Sequence, residues 1–336
     1  MDDRYSRQRL FAPIGNQGQN DLSESSVLIV GAGALGTMLA NQMVRAGVGL
    51  VRIVDRDYIE MSNLQRQILY TEEDVEKALP KAVAAQNHLE KINSNVQIEG
   101  IVSDVHRDNV TSLMNGMDIV LDGTDNFTTR FLLNDACFQN GIPFVYGGAV
   151  RSRGMMALFI PEETPCLRCV VSPGAGKGET CDTAGIISPV INMVTSYQAT
   201  ETLKYLTGNK EALHGMLKTF DIWTNQHYDV KLTNPKQGCP TCQENLYPFL
   251  QAQQNEEFVV MCGRDSIQVH TNEKMDLPKW EEKLSVIANT KLTPFLLKAK
   301  VDHHHTFVLF PDGRVLIQGT EDTTKAKSLF HRYIGL

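Results

Sequence analysis

The sequence predicts an α/β fold: an open, doubly wound, mostly parallel sheet with helices on both faces, followed by a small α+β module. Three observations carry this. Val27-Leu28-Ile29-Val30 is an unbroken apolar run, the pattern of a strand buried on both faces. A glycine-rich turn, residues 31–36, leads from it directly into a helical stretch, Thr37–Ala46, that Gly47 stops. Strand-type and helix-type segments then alternate at the spacing of parallel units.

Leu50–Val54 is the next strand. A helix is expected over Val75–Ile92, with Pro80 near its first turn or splitting it there. Further strands fit Val96–Val102, Asp118–Leu121, Pro143–Tyr146 and Met156–Ile160, with a helix at Phe127–Gln139. The result is a Rossmann-like arrangement. Residues 161–189 break the rhythm with Pro, Gly and Cys, and Gly174–Gly178 reads as mobile. A long helix is expected over Pro189–Tyr205. The main domain is therefore expected over residues 1–245, and a Gln/Asn-rich linker over 246–257. A β-α-β-β-α module over 258–336 follows: Phe258–Val269, Lys279–Ile287, Thr293–Val301, Thr306–Ile317 and Thr323–Tyr333, with Pro311-Asp312-Gly313 as a hairpin turn.

The 336 residues are enough for this plan, and 42% apolar against 21% charged residues argues against general disorder. A net charge of −7 argues against a surface organised around nucleic acid, though a local basic pocket is compatible with it. Apolar stretches reach only strand length and the N-terminus lacks a signal-peptide core, so a soluble, cytosolic protein without a membrane span is expected. Seven cysteines are too few and too oddly numbered for a disulfide framework, which favours metal binding or catalysis.

Gly31-Ala32-Gly33-Ala34-Leu35-Gly36 is a G-x-G-x-x-G turn between strand and helix, where a phosphate meets free N–H groups and a positive dipole end. Asp55 ends the following strand, where a carboxylate accepts ribose hydroxyls. These features fit any nucleotide, NAD included. Ser62-Asn63-Leu64-Gln65-Arg66-Gln67 and Lys81 tip the choice, because a hydride-transfer site has no need of converging cations, whereas reaction at phosphorus does. Asp122-Gly123-Thr124-Asp125-Asn126 closes another strand at the ligand-facing edge, where Asp125 could hold Mg²⁺. The structural alternative is that Asp125 caps the helix starting near Phe127.

Cys166-Leu167-Arg168-Cys169 and Cys239-Pro240-Thr241-Cys242 are two CxxC pairs, which fit a closed, structural Zn²⁺ site of four thiolates better than a redox disulfide. Cys181 lies outside this quartet in a Gly-rich segment, where an exposed thiol could act as a nucleophile or merely be a small residue. Cys137 reads as core. Cys262 opens the C-terminal module too early to be the thiol of a rhodanese-like domain, and His303-His304-His305 reads as a hairpin edge.

With Arg4-Tyr5-Ser6-Arg7-Gln8, the motifs above and Thr180-Cys181-Asp182-Thr183-Ala184-Gly185, residues 4–245 resemble the MoeB/ThiF adenylyltransferases, relatives of the ubiquitin-activating enzymes. The resemblance implies that Gly31, Gly33, Gly36 and the backbone of Ala34 approach ATP. It places Asp55 on the ribose, Arg66 and Lys81 on the phosphates, Asn63 beside them with Ser62, Leu64, Gln65 and Asn126 lining the site, and Asp125 on Mg²⁺. Arg7 resembles the arginine that reaches into a partner subunit, implying a homodimer, and Cys181 the cysteine that in some members links covalently to the carrier protein. Two extra residues separate the Arg66 and Lys81 motifs relative to the bacterial MoeB pattern, which should lengthen a loop.

The implied reaction is adenylylation of the C-terminal glycine of a ubiquitin-like sulfur carrier ending in Gly-Gly, of the ThiS or MoaD type. A thiocarboxylate for thiamine-thiazole or molybdopterin synthesis would follow, with sulfur from a persulfide donor. The carboxylate is already ionised, so no general base is needed, which matches a motif set of cations and a metal ligand. The competing readings are a dinucleotide-dependent oxidoreductase, a non-catalytic nucleotide-binding scaffold, and a related enzyme that adenylylates another acceptor such as a tRNA base.

Overall fold

The apolar run at 27–30 is the body of strand β1, Ser26–Val30, in a computed structural model that describes residues 3–172, 184–251, 258–261, 265–271 and 273–335. Successive side chains leave β1 towards opposite faces. Val27 and Ile29 join one buried layer with Leu39, Met43 and Leu89, and Leu28 and Val30 join another with Phe131, Leu133 and Phe144. Burial on both faces is why the run does not alternate with polar residues. Each such aliphatic side chain stabilises the fold by about 1.5–3 kcal/mol.

Around β1 lie β2 (Leu50–Asp55), β3 (Gln97–Val102), β4 (Ile119–Asp122), β5 (Phe144–Val150), β6 (Arg153–Phe159), β7 (Met216–Asp221) and β8 (Gln226–Lys231), in the order β3-β2-β1-β4-β5-β6-β7-β8. Strands β3 to β5 in that order are parallel, and β6, β7 and β8 extend them antiparallel. The chain winds outward from β1 first to β2 and later to β4, so a crevice opens at the carboxyl ends of β1 and β4.

Several elements depart from the sequence expectation. The Val75–Ile92 stretch takes the split arrangement, one of the two expected, with different bounds: two helices, Glu72–Glu76 and Lys81–Ile92, with Pro80 as the N-cap of the second at a ψ of 141 that no helix interior accepts. The β7–β8 hairpin was not expected, because β8 is exposed along its whole length and shows no alternation. Two N-terminal helices, Ser6–Leu10 and Gly15–Glu24, also carry too few apolar residues to announce themselves. The long helix spans Ser188–Leu206 with Pro189 in its first turn. Gly174–Gly178 and Cys181 lie outside the described residues.

Two compact units divide the chain, Met1–Ala252 and Gln253–Leu336. Residues 246–251, expected as the start of a linker, instead fold onto the first unit. Pro248–Gln251 is helical, Phe249 stacks on Phe131 with centroids 5.4 Å apart, and the Phe249 N–H donates to Asp135. The second unit is a six-stranded antiparallel sheet of β9 (Phe258–Met261), β10 (Ser266–His270), β11 (Asn289–Leu292), β12 (Leu297–Lys300), β13 (Thr306–Leu309) and β14 (Arg314–Gln318), ordered β11-β12-β13-β14-β10-β9, with helices Leu277–Leu284 and Thr323–Tyr333. It has more strands than the β-α-β-β-α pattern: the 258–269 run folds as the antiparallel pair β9–β10, and polar Asn289–Leu292 adds an edge strand. Gly313, at φ +92, makes the expected turn between β13 and β14. Cys262 lies outside the described residues. Among the described residues no helix is long and apolar enough to cross a membrane.

Candidate active site

The glycine turn leaves β1 and enters helix Ala34–Ala46 with Gly33 as its N-cap. Gly31 takes φ +92, and a Cβ there would strike the Gly123 carbonyl of the loop after β4. A Cβ on Gly36 would overlap the Gly31 carbonyl oxygen, so both positions need glycine for the helix to start this close to the strand. The helix N-terminus thus faces the crevice with unpaired N–H groups, a ready anion site.

Asp55 closes β2 beside this turn. The N–H of Ala32 donates to its Oδ2 (2.6 Å) and that of Asp57 to its Oδ1 (2.7 Å), leaving a lone pair on each oxygen. Burial pushes the Asp55 carboxyl above the ordinary carboxylate range; Lys81 opposes that shift and Asp57 adds to it. Lys81, the first residue of its helix, is 3% exposed and donates from Nζ to Asp57 Oδ2 at 3.1 Å. Tyr70, whose hydroxyl burial keeps firmly protonated, donates to the Ala32 carbonyl (2.7 Å), with the Lys81 carbonyl at 3.1 Å. One phenol therefore ties the glycine turn to the start of the lysine helix.

The Met61–Asn63 turn carries the next group. Asn63 is buried, and its Oδ1 accepts from the Glu60 N–H, which leaves the Nδ2 side of the amide for a ligand. Half-buried Arg66 donates to the Ser62 carbonyl at 2.9 Å. Across the crevice Asp122 is fully buried, and burial raises its carboxyl despite the opposing charge of Arg130. Arg130 Nε donates to it at 2.9 Å and Nη2 reaches the Thr124 and Gly147 carbonyls, so the loop that presents Asp125 is braced from beneath. Asp125 is exposed on the loop after β4, and a single carboxylate of this kind could take part in holding Mg²⁺.

On the first unit Cys166, Cys169, Cys239 and Cys242 bring four sulfur atoms within 4.8 Å of one another. Cys166 and Cys239 are 3.6 Å apart and Cys169 and Cys242 3.5 Å, too far for disulfides and close to the ~3.8 Å edge of a tetrahedron with ~2.3 Å metal–sulfur bonds. The cluster could hold a metal ion with no position left open.

The profile of the ThiF family matches residues 5–241. The chain belongs to the ThiF family. It is 46% identical over all of both chains to the sulfur carrier protein ThiS adenylyltransferase of Bacillus subtilis. Against the protein of the same description from Escherichia coli it is 37% identical over 71% of this chain and 94% of that one. Among solved structures, Escherichia coli MccB superposes with a TM-score of 0.64 over 72% of this chain and 73% of that chain at 21% identity, a likeness of fold.

Within this ThiF-family chain the structure gathers Gly31, Gly33, Ala34, Gly36, Asp55 and Lys81 around the crevice. Others it uses differently. Asn126 is the N-cap of helix Phe127–Asn140, accepting from the Thr129 N–H at 2.8 Å, so the cap falls one residue after Asp125 and leaves Asp125 free of that duty. Leu64 packs its side chain on the core, so only its backbone remains for a ligand, and Ser62 and Gln65 are exposed. Arg7 is not at its own chain's glycine turn: neighbouring Gln8 donates to the Ala46 carbonyl, at the far end of a 13-residue helix, ~20 Å away.

Sequence reasoning missed Asp57, Tyr70 and Arg130, and named Gln67 only as the end of the Ser62–Gln67 motif, with no role of its own. Gln67 is 4% exposed, its Oε1 has no partner among the described residues, and its Nε2 lies 3.9 Å from where a Gly33 Cβ would sit. A buried amide oxygen without a protein partner there is open to a donor from a ligand or a water. Its place inside the Ser62–Gln67 motif was the available signal.

Proposed function

We propose that the protein uses ATP to adenylylate the C-terminal glycine carboxylate of a ubiquitin-like sulfur carrier of the ThiS type, ending in Gly-Gly. The full-length likeness to a ThiS adenylyltransferase carries this reading. One carboxylate oxygen of the carrier bonds to the α-phosphorus in line as the bond to the β-phosphate bridging oxygen breaks. The products are the mixed anhydride and pyrophosphate, and no proton moves.

Asp55 receives the ribose hydroxyls through its remaining lone pairs, and the N-terminus of helix Ala34–Ala46 receives phosphate oxygens. Lys81 and Arg66 hold the charge that develops on the phosphates, with Asn63 Nδ2 beside them. Asp125 is the ligand for Mg²⁺, which when bound neutralises phosphate charge. Arg7, displaced from its own turn, serves the site of a second copy, so the working unit is a homodimer. Cys181 is the group to receive the activated acyl, its sulfur bonding to the acyl carbon as the bond to phosphate breaks and AMP leaves, or to stand aside while a persulfide donor attacks the acyl carbon and expels AMP. The four cysteines fit Zn²⁺ as a structural ion that fastens residues 166–169 to the end of the main domain.

ATP–pyrophosphate exchange tests the reading. It should depend on both Mg²⁺ and a Gly-Gly carrier; exchange absent with such carriers, in a folded enzyme that binds ATP, would refute it.

A further inference from the structure

A buried carboxylate outside the nucleotide site bonds a residue lying between the cysteines of each pair. Asp135, on helix Phe127–Asn140, is fully buried. Its Oδ1 accepts from Thr241 Oγ1 (2.6 Å), between Cys239 and Cys242, and from Asn134 Nδ2 (3.1 Å). Its Oδ2 accepts from Arg168 Nη2 (3.4 Å), between Cys166 and Cys169, and from the Phe249 N–H (2.9 Å). Arg168 Nε also donates to Thr241 Oγ1 (3.1 Å), and the guanidinium lies against both rings of the stacked Phe131–Phe249 pair, 5.5 and 5.4 Å from their centroids. Next to Asp135, Asn134 Oδ1 accepts the Leu167 N–H at 2.8 Å. The residues between the cysteines of each pair are therefore joined to one carboxylate.

The two pairs come from segments about 70 residues apart in sequence, and nothing local forces them together. We infer that Asp135 is the positioning residue of the four-cysteine site, holding the two pairs at metal-binding separation through Arg168 and Thr241 whether or not the ion is bound. It touches no sulfur and would not touch the ion; it acts through the residues between the ligands, as supporting hydrogen bonds do at other metal sites. The inference rests on the zinc reading above.

The test is zinc content and the rate of zinc transfer to a chromogenic chelator, measured on the intact enzyme below its melting transition. Asp135→Asn and Thr241→Val are compared with Thr195→Val, which removes a buried hydroxyl bond on another helix. Zinc should leave both site variants roughly 10–100-fold faster than wild type. Cobalt-substituted samples should keep the same four-thiolate absorption, and Thr195→Val should release zinc at the wild-type rate. If Asp135→Asn does not fold, Thr241→Val decides. Wild-type release rates in the site variants, or equal acceleration in Thr195→Val, would overturn the inference. A wild-type enzyme with four reduced thiols that contains and takes up no zinc would refute the zinc reading itself.

Discussion

Lys81 and Asp57 are joined twice: Nζ to Oδ2 at 3.1 Å, and the Lys81 N–H to the Asp57 carbonyl at 2.8 Å. The ammonium is thus aimed by a carboxylate two residues beyond Asp55, the proposed ribose ligand. Lys81→Ala should lower the exchange rate ~100–1,000-fold with the fold intact. Asp57→Asn, which keeps the shape but weakens the anchor, should cost about tenfold, chiefly in KM for ATP. Steady-state exchange kinetics check both, and wild-type rates in Lys81→Ala would remove it from the phosphate site.

Gln67 carries the opposite signs for activity and stability. Its buried Oε1 has no partner among the described residues, and with neither ligand nor water there it costs about 1–3 kcal/mol, so Gln67→Leu should raise the melting temperature. The same change should lower kcat/KM for ATP by roughly tenfold, since a hydrogen bond to the nucleotide is lost. Calorimetry and exchange kinetics read the two; a less stable, fully active variant would contradict the assignment.

The raised carboxyl of Asp55 gives a pH signature. Between the unfolded value and the higher folded value, the folded chain binds the extra proton, so acidification favours folding through this group. Ribose binding runs the other way, because protonation removes an acceptor. KM for ATP should therefore rise on acidification, starting above the ordinary aspartate range, while the fold holds. In Asp55→Asn that portion of the pH dependence should vanish and KM should already be high. The same pH profile in both proteins would exclude Asp55 as its source.

Arg7 and Lys81 should complement across subunits. Arg7→Ala and Lys81→Ala are each expected to be nearly inactive. After subunit exchange between equal amounts, half of the dimers are mixed and one of the two sites in each is intact, so about a quarter of wild-type activity should return. No recovery from mixed dimers demonstrated by tagged pull-down would place Arg7 outside the shared site.

The main sheet and the nucleotide turn were legible in the sequence because backbone needs dictate them. Gly31 and Gly36 answer steric contacts that only glycine tolerates, and the 27–30 run answers burial on two faces. The supporting residues were not legible. Tyr70, Arg130 and Asp135 act on groups brought near by folding, and their identity alone is compatible with many roles. The cap at Asn126 rather than Asp125 turned on one residue of helix phase, below what periodicity resolves. Strand β8 was invisible because an exposed edge strand carries no burial pattern.

Intact-mass spectrometry reads adenylylation of a Gly-Gly carrier directly. Enzyme, Mg²⁺–ATP and a ThiS-type carrier, with pyrophosphate removed, should yield carrier heavier by one adenylyl group. A carrier lacking its terminal glycine should stay unmodified. Unmodified full-length carrier, with ATP bound and the enzyme folded, would mean that the protein does not adenylylate such a carrier.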